Sequence, residues 1–305
     1  MYKNWLKKFL IALMVLFLFV EFFYRFSKPL RHEIDFRIDY ISRLKDCNFK
    51  TVILGDSLGW QALDGLTLKK DILNLTSNAE ISLAGNYFFL KRYLEKNSPP
   101  KNVYILFTPG LFMANLNSKR IYSNFTTVFN KKNEILELIE IGRMDVYLKI
   151  SVEQFFQHRK SALQLKSWRE WKRETPEEEN INLESTIDIK TLEGINELSK
   201  WDFNYVNDIP KVFIVKIINL CRENNINLTL VLEPLPFKIY QKWNDSNLRK
   251  HVKELCKIND INFFDMNSYA KYYDSAFVKD GAHLKKNWND FYLFSLNKNV
   301  VKVLD

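Results

Sequence analysis

Short apolar segments recur along the chain, and each ends at a turn signal. Residues 51–54 are β-branched or leucine and run directly into Gly55, Asp56 and Ser57. Apolar runs of this length, bounded by glycine, proline or polar residues, are typical of buried strands. The pattern predicts strands at residues 51–54, 71–75, 102–107, 227–232 and 261–265.

Longer segments with a helical spacing of apolar residues separate these strands. A helix is expected to begin at Ser57, and others are predicted at residues 84–96, 211–224, 246–258 and 287–303. Strands that alternate with helices indicate an α/β fold with a parallel sheet and helices on both faces. In such sheets functional groups gather at the carboxyl ends of the strands. The polar residues that fall there are Asp56, Ser57, Thr108 and Glu233.

Residues 111–208 interrupt this alternation. Because the segment is too long for a plain loop, we predict a helical insertion or cap on an α/β domain formed by residues 49–110 and 209–305. It leaves from the carboxyl end of a strand and should lie over or beside the site. Its Trp168 and Trp171, with Trp201, either bind substrate in a groove for a sugar or lipid, or pack the insertion onto the domain.

The amino-terminal residues 9–20 are wholly apolar, and residues 22–24 extend this run beyond Glu21. The segment approaches the roughly 20 residues needed to span a bilayer, and no small-residue cleavage site follows it. We therefore predict an uncleaved membrane anchor at residues 1–30 and a charged, partly helical linker at residues 31–48. Lysines before the run favour a domain on the non-cytoplasmic side, periplasmic or extracellular, although basic residues also follow it. A cleaved signal peptide and a buried amphipathic helix are the alternatives.

Composition narrows the classes of function. The chain has 305 residues, of which 47% are hydrophobic and 27% charged, as in folded proteins. With 3 cysteines and 4 scattered histidines, it does not fit a disulfide scaffold or a multi-histidine metal site, and no cofactor is expected. Cys221 and Cys256 either pair or remain buried thiols. The net charge of +9 favours anionic lipid or polymer, but no basic stripe indicates a nucleic-acid partner.

The turn after the first predicted strand carries a candidate nucleophile, Ser57. A serine hydroxyl is weakly nucleophilic unless a base lies within hydrogen-bonding reach and donors stabilise the developing oxyanion. At the start of a helix, the N–H of Ser57 itself points outward and can serve as one such donor. A strand that ends in Gly-Asp-Ser is also a common helix cap, so this motif alone does not establish a site.

A second motif, Asp280-Gly281-Ala282-His283, precedes the last predicted helix. A carboxylate and an imidazole three residues apart can meet on one loop. Asp280 would then orient His283, which would accept the proton of Ser57. The alternative is an unrelated loop aspartate and surface histidine. The combination with Ser57, in the order Ser, Asp, His, favours the catalytic interpretation.

Gly-Asp-Ser-Leu at residues 55–58 and Asp-Gly-Ala-His-Leu at residues 280–284 resemble the motifs of the SGNH/GDSL hydrolase superfamily. The resemblance covers about residues 50–110 and 211–303, judged by motif order. It implies a flavodoxin-like three-layer α/β/α sandwich and a catalytic triad of Ser57, His283 and Asp280. The chain is similar to membrane-anchored envelope members, such as polysaccharide O-acetylation proteins related to the alginate machinery and the teichoic-acid D-alanylation protein. Such transferases typically take their acyl group from a multi-pass membrane partner.

The oxyanion site departs from the family's pattern. The family's second motif supplies a glycine, for which Gly85 is the match, but its third supplies an asparagine that is missing beside Thr108. The expected oxyanion donors are therefore Ser57, Gly85, and either Asn86 or Thr108. This departure leaves room for a slow acyl transferase, a site completed by a partner, or a pseudoenzyme.

Three functions fit these observations. The first is a serine enzyme that transfers or hydrolyses an acyl group, most simply acetyl, on a cell-envelope polysaccharide. The second is a lipid esterase or thioesterase at the membrane face. The third is a non-catalytic glycan-binding or assembly subunit. Glu233, at the functional edge of the sheet, either contacts substrate or caps the loop before Pro234.

Overall fold

The computed structural model describes residues 33–63, 66–77, 81–113, 137, 189–204, 208–268, 274–278 and 280–303. The chain divides into two units, and all described residues except Glu137 belong to the one formed by Glu33–Phe129 and Glu178–Asp305. The predicted anchor at residues 1–30 and most of the predicted insertion lie outside the described residues. Within the described ranges, no helix is long and apolar enough to cross a membrane.

A parallel sheet forms the centre of this unit, as the sequence predicts. Its five strands run in the order β2-β1-β3-β4-β5, and every neighbouring pair is parallel. This is the flavodoxin-like strand order. The chain first adds β2 on one side of β1 and then crosses to the other side of β1 to form β3. The strands are β1 Thr51–Gly55, β2 Ile72–Asn74, β3 Asn102–Phe107, β4 Asn227–Leu232 and β5 Asn262–Asp265.

Helices of very different length connect the strands. Their bounds are α1 Glu33–Arg43, α2 Ser57–Leu63, α3 Ser82–Leu94, α4 Gly110–Met113, α5 Ile189–Ser199, α6 Asp208–Glu223, α7 Phe237–Asn244, α8 Asn247–Ile258 and α9 Lys286–Asn299. Short 3-10 turns follow β5 at Met266–Ser268 and precede α9 at Asp274–Ala276.

Helices α2 and α9 pack against each other on one face of the sheet. Side chains alternate between the two faces along a strand. Ile53, Leu106 and Val231 therefore point from three neighbouring strands into the same apolar cluster, which Tyr292 of α9 completes. This cluster lies directly beneath the first turn of α2, which begins at Ser57.

The opposite face is covered by α3 and α6. Aromatic rings join the two helices, with centroids of Phe88 and Phe213 5.8 Å apart and those of Tyr87 and Phe213 5.6 Å apart. Helix α1, within the predicted linker, packs on α3 and buries Ile34 and Ile41. The start of the predicted linker is thus attached to the α/β unit.

Two differences from the prediction have a clear physical reason: an additional helix and an earlier end of the last helix. Helix α7 is not expected from the sequence, because Pro234 and Pro236 indicate a loop, but proline is also favoured at helix starts and α7 begins directly after Pro236. The last helix ends at Asn299 rather than at residue 303, since Val301 and Val303 are buried and the Val303 carbonyl accepts a hydrogen bond from Lys69 N.

All three cysteines are free thiols. Burial raises the pKa of Cys221 to about 12 and that of Cys256 to about 11. Of the two alternatives for this pair, the structure shows buried thiols and not a disulfide.

Stability should depend steeply on the volume of Ile105, which is fully buried in β3 between β1 and β4. We expect Ile105→Val to lower the free energy of unfolding by about 0.5–1.5 kcal/mol and Ile105→Ala by about 2–5 kcal/mol, because the larger truncation leaves a larger cavity. Urea unfolding of the full chain in mild detergent measures both. The control is Lys253→Ala on the exposed side of α8, which should change the free energy by under about 0.5 kcal/mol. Equal losses for the two Ile105 variants would contradict close packing here.

Candidate active site

The candidate site lies where β1 and β3 end side by side. Asp56 and Ser57 follow β1, and Thr108 follows β3. Ligands of open parallel sheets bind outside the carboxyl ends of the strands at such a reversal point. The strand order therefore brings together three of the four polar residues identified from the sequence.

Asp56 holds the turn that carries Ser57. Its Oδ1 accepts a hydrogen bond from Leu58 N at 3.1 Å, and its carbonyl oxygen accepts one from Trp60 N at 3.0 Å. Asp56 thus caps α2, as aspartate does at many helix starts. The preceding Gly55 is required for space, because a Cβ there would lie 2.7 Å from the Leu106 carbonyl oxygen of the neighbouring strand.

Thr108 binds the other oxygen of the same carboxylate. Its N–H and its Oγ1–H both donate to Asp56 Oδ2, at 3.0 and 2.8 Å. The ends of β1 and β3 are therefore joined through one side chain. The cap keeps the turn rigid at the point from which Ser57 projects.

Ser57, His283 and Asp280 form a continuous hydrogen-bonded chain. Ser57 Oγ lies 2.8 Å from His283 Nε2, and His283 Nδ1 lies 2.6 Å from Asp280 Oδ2. With the Nδ1 proton donated to Asp280, Nε2 is left as an acceptor for the Ser57 hydroxyl. In this arrangement the imidazole can take the serine proton, and the carboxylate can stabilise the resulting imidazolium.

Asp280 is fixed by its own loop. Its Oδ1 accepts hydrogen bonds from Ala282 N at 2.8 Å and His283 N at 3.0 Å. Burial favours the neutral acid, but the hydrogen bonds from His283 and Ala282 and the charge interaction with His283 outweigh it, so the pKa of Asp280 is lowered. The carboxylate is therefore the favoured form opposite the imidazole.

Backbone contacts close the His283 loop against α2. Val278 N donates to the His283 carbonyl at 2.8 Å, and Gln61 Nε2 of α2 donates to the Leu284 carbonyl at 3.1 Å. Because α2 begins at Ser57, the bond from Gln61 ties the helix of the nucleophile to the loop of the base.

Helix α5, at the end of the predicted insertion, lies directly against this loop. Gly281 has φ +69°, and a Cβ there would lie 2.5 Å from Ile195 N and 2.7 Å from the Gly194 carbonyl carbon. Both the left-handed backbone and the close approach require glycine. The described part of the predicted insertion thus helps to hold His283 in place.

Three of the expected oxyanion donors are engaged elsewhere. The N–H of Gly85 donates to the Ile81 carbonyl at 2.9 Å inside α3. Asn86 is fully buried, and its Nδ2 donates to the Ser82 carbonyl at 2.9 Å. Thr108 gives both donors to Asp56. These hydrogen bonds serve the fold, so the geometry gives no support to the predicted oxyanion role of the three residues.

The fourth expected donor is the N–H of Ser57. It lies in the first turn of α2, where N–H groups have no acceptor within the helix. The positive end of the helix dipole lies at the same place, although α2 has only 7 residues and its dipole is small. Ser57 remains the one predicted donor whose position suits an oxyanion.

Glu233 is enclosed by protein. It has no solvent-exposed surface, and its Oε1 accepts a hydrogen bond at 2.8 Å from the Tyr292 hydroxyl of α9. The predicted substrate contact has no support in this position, because the side chain turns inward beneath α2. Trp168 and Trp171 lie outside the described residues. A Cβ on Gly110 would lie 3.1 Å from the Trp201 ring, so Trp201 packs against the start of α4.

No protein-family model matches this chain, and no curated protein matches it. Among the residues that the structure describes, no group of three or more histidine, cysteine, aspartate or glutamate side chains could hold a metal ion.

Sequence reasoning misses two contacts at this site. The helix-cap interpretation of Gly-Asp-Ser fits Asp56, but its bonds to Thr108 have no signal in the sequence. Gln61 lies one turn after Ser57, but its partner is 223 positions away in sequence, so no local signal could reveal it.

The close fit of Gly281 against α5 predicts that a side chain at this position lowers the stability of the fold. Gly281→Ala should lower the free energy of unfolding by about 1–3 kcal/mol, because the left-handed backbone is strained and the Ile195 backbone cannot give way. It should also slow any reaction of Ser57, since His283 moves with the loop. Thermal unfolding and covalent labelling of the full chain measure the two effects. Lys285→Ala in the same loop is the control, and equal stability of both variants would contradict the packing described.

The contacts that Asp280 makes with His283 and Ala282 make a limited contribution to acid stability. The Asp280 carboxyl has a lowered pKa in the folded chain, so its stabilisation is present above its ordinary pKa and is lost as the pH falls through the lowered one. The side chain is 50% exposed, so the contribution should be under about 1 kcal/mol. Asp280→Asn should flatten the acid limb of stability by this amount, as measured by urea unfolding between neutral and acid pH. A steeper acid limb in Asp280→Asn would be inconsistent with this assignment.

Proposed function

We propose that this chain is a membrane-anchored, SGNH-like serine enzyme that transfers or hydrolyses an acyl group on a cell-envelope polysaccharide. The observation that carries the proposal is the chain of hydrogen bonds from Ser57 Oγ through His283 to Asp280, at 2.8 and 2.6 Å. It supplies a nucleophile, a base and an orienting acid with the roles that acyl transfer needs.

The reaction needs no cofactor. Ser57 Oγ attacks the carbonyl carbon of an acyl ester or thioester, and its proton passes to His283 Nε2. The bond to the leaving group then breaks, His283 returns the proton to the leaving oxygen or sulfur, and an acyl-Ser57 ester remains. A glycan hydroxyl or water next attacks this ester and gives its proton to His283. Ser57 Oγ recovers that proton as it leaves, so atoms and charge balance.

The acyl group is most simply acetyl, and the acceptor is an envelope glycan. The apolar residues 9–20 support a place at a membrane, and the net charge of +9 supports contact with anionic lipid or polymer. In this proposal the domain lies on the non-cytoplasmic side and a multi-pass membrane protein supplies the acyl group.

A second candidate is a non-catalytic glycan-binding or assembly subunit. The observation that favours it is the engagement of Gly85, Asn86 and Thr108 in bonds of the fold. Loss of one oxyanion donor costs about 10²–10³ in rate in a measured protease. A site that keeps only the Ser57 N–H is therefore slow unless a partner or the acceptor adds a donor.

Covalent labelling tests the proposal. The full chain, purified in mild detergent, is treated with a fluorophosphonate, and the adduct is located by intact mass and peptide mapping. We expect one adduct at Ser57 that is lost in Ser57→Ala, together with turnover of acetyl esters. His283→Ala should slow labelling by about 10²–10⁴-fold, because the base is removed. The matched control is Ser42→Ala, whose hydroxyl donates to the Asp39 carbonyl.

A negative labelling result separates the proposed enzyme from the non-catalytic subunit. A folded chain that takes no label, shows no acetyl-ester turnover and still binds envelope glycan would favour the non-catalytic subunit. Labelling that continues in Ser57→Ala would contradict the assignment of the nucleophile.

A further inference from the structure

The Glu233 carboxyl lies buried beneath the nucleophile turn, at the carboxyl end of β4. The side chain has no exposed surface, and a Cβ on Gly59 of α2 would lie 3.2 Å from its Oε1. The hydroxyl of Tyr292 donates a hydrogen bond to the same Oε1 at 2.8 Å. A carboxyl group therefore lies in contact with the helix that starts at Ser57, enclosed by protein on all sides.

The Asp56 carboxyl acts on the Glu233 carboxyl both as a neighbouring charge and as a hydrogen-bond partner, while Glu233 Oε2 itself is buried without a donor. A hydrogen bond between them requires a proton on one of them. Asp56 already accepts from Leu58 N, Thr108 N and Thr108 Oγ1, so it acts as an acceptor. Among the described residues, no donor reaches Glu233 Oε2. A proton on Glu233 supplies the donor that is missing between the two carboxyls and removes a buried charge.

The electrostatics agree with this geometry. Burial raises the pKa of Glu233 well above its ordinary value, and the charge of Asp56 and the hydrogen bond with Asp56 raise it further. The hydrogen bond from Tyr292 acts in the opposite direction and is the smallest of these effects. The titratable groups that act on Glu233 are thus Asp56, from the turn after β1, and Tyr292, from α9.

We propose that Glu233 is a positioning residue that stays protonated at neutral pH and donates a hydrogen bond to Asp56, fixing the turn that presents Ser57. Asp56 then receives donors from three elements: α2 through Leu58, the end of β3 through Thr108, and the end of β4 through Glu233. This role rests on the proposed function only in so far as it concerns the reactivity of Ser57.

The chain offers a matched pair of substitutions. Glutamine in Glu233→Gln has the same shape, one amide N–H₂ to donate to Asp56 and one oxygen to accept from Tyr292, without a charge to lose. Glu233→Leu keeps a similar volume but provides neither donor nor acceptor. Protonated Glu233 predicts that Gln replaces it and Leu does not, whereas ionised Glu233 predicts that both fail.

The protonation state can be measured directly and without any activity. We expect the infrared spectrum of the full chain at neutral pH to show a protonated carboxyl band that is missing in Glu233→Gln. Above about pH 4.3, where glutamate ionises in the unfolded chain, wild-type stability should fall with pH by up to about tenfold in the folding equilibrium constant per unit. Glu233→Gln removes this contribution, so its stability should fall less as pH rises. Identical spectra and identical pH dependence in the two proteins would overturn the proposal.

The positioning role of Glu233 can be tested by hydrogen exchange and by the labelling rate of Ser57. The N–H groups of Leu58 and Thr108 donate to Asp56, so their hydrogen exchange should accelerate in Glu233→Leu and stay near wild type in Glu233→Gln. Fluorophosphonate labelling of Ser57 should likewise slow by about 10–100-fold in Glu233→Leu and recover in Glu233→Gln. Equal exchange at these amides, or equal labelling in the two variants, would refute the positioning role.

The two proposals fail separately. If neither wild type nor Glu233→Gln takes the label, the enzymatic function fails, while infrared, stability and exchange still decide the role of Glu233. If both variants are labelled at the wild-type rate, the enzymatic function stands and the positioning role fails.

Discussion

The carboxylate of Asp56 joins the elements that meet at the candidate site, where β1 and β3 end. It caps α2 through Leu58 and binds both donors of Thr108, so the ends of β1 and β3 and the start of a helix meet on two oxygen atoms. Hydrogen bonds to a charged acceptor are worth about 1.5–3 kcal/mol each, roughly twice a neutral one. The position of Ser57 follows from this junction, because its backbone lies between the cap and the helix that the cap starts.

The pair of His283 and Asp280 is held in place separately from the Asp56 junction. Asp280 and His283 hold each other within one short loop, and the loop is supported from outside by Gln61 of α2 and by the α5 backbone at Gly281. The pair is thus locally organised, whereas its distance to Ser57 is set by how two helices pack. The distance between Ser57 Oγ and His283 Nε2 therefore depends on helix packing as well as on the loop's own bonds.

The sequence predicts the sheet well and the hydrogen bonds at its edge poorly. Strands β3 and β4 lie where their apolar runs predict them, because a fully buried strand leaves a short, unmistakable run bounded by polar residues. Ser57, Asp280 and His283 were identifiable because their spacing along the chain is itself informative. Gly85 and Thr108 were assigned to the oxyanion because sequence shows which groups can donate but not which acceptor is nearest. The role of Glu233 is equally hidden from the sequence, because it depends on how deeply the side chain is buried.

The contact between Ser57 Oγ and His283 Nε2 joins residues 226 positions apart. Chains are synthesised from the amino end, so Ser57 emerges long before the loop that holds its base. Until α9 docks on α2, the serine is an ordinary alcohol with no neighbouring imidazole, and an alcohol of that kind is inert at neutral pH. In the proposed function, a nascent or partly folded chain therefore holds Ser57 apart from its base. The reaction becomes possible only when the fold brings His283 to Ser57.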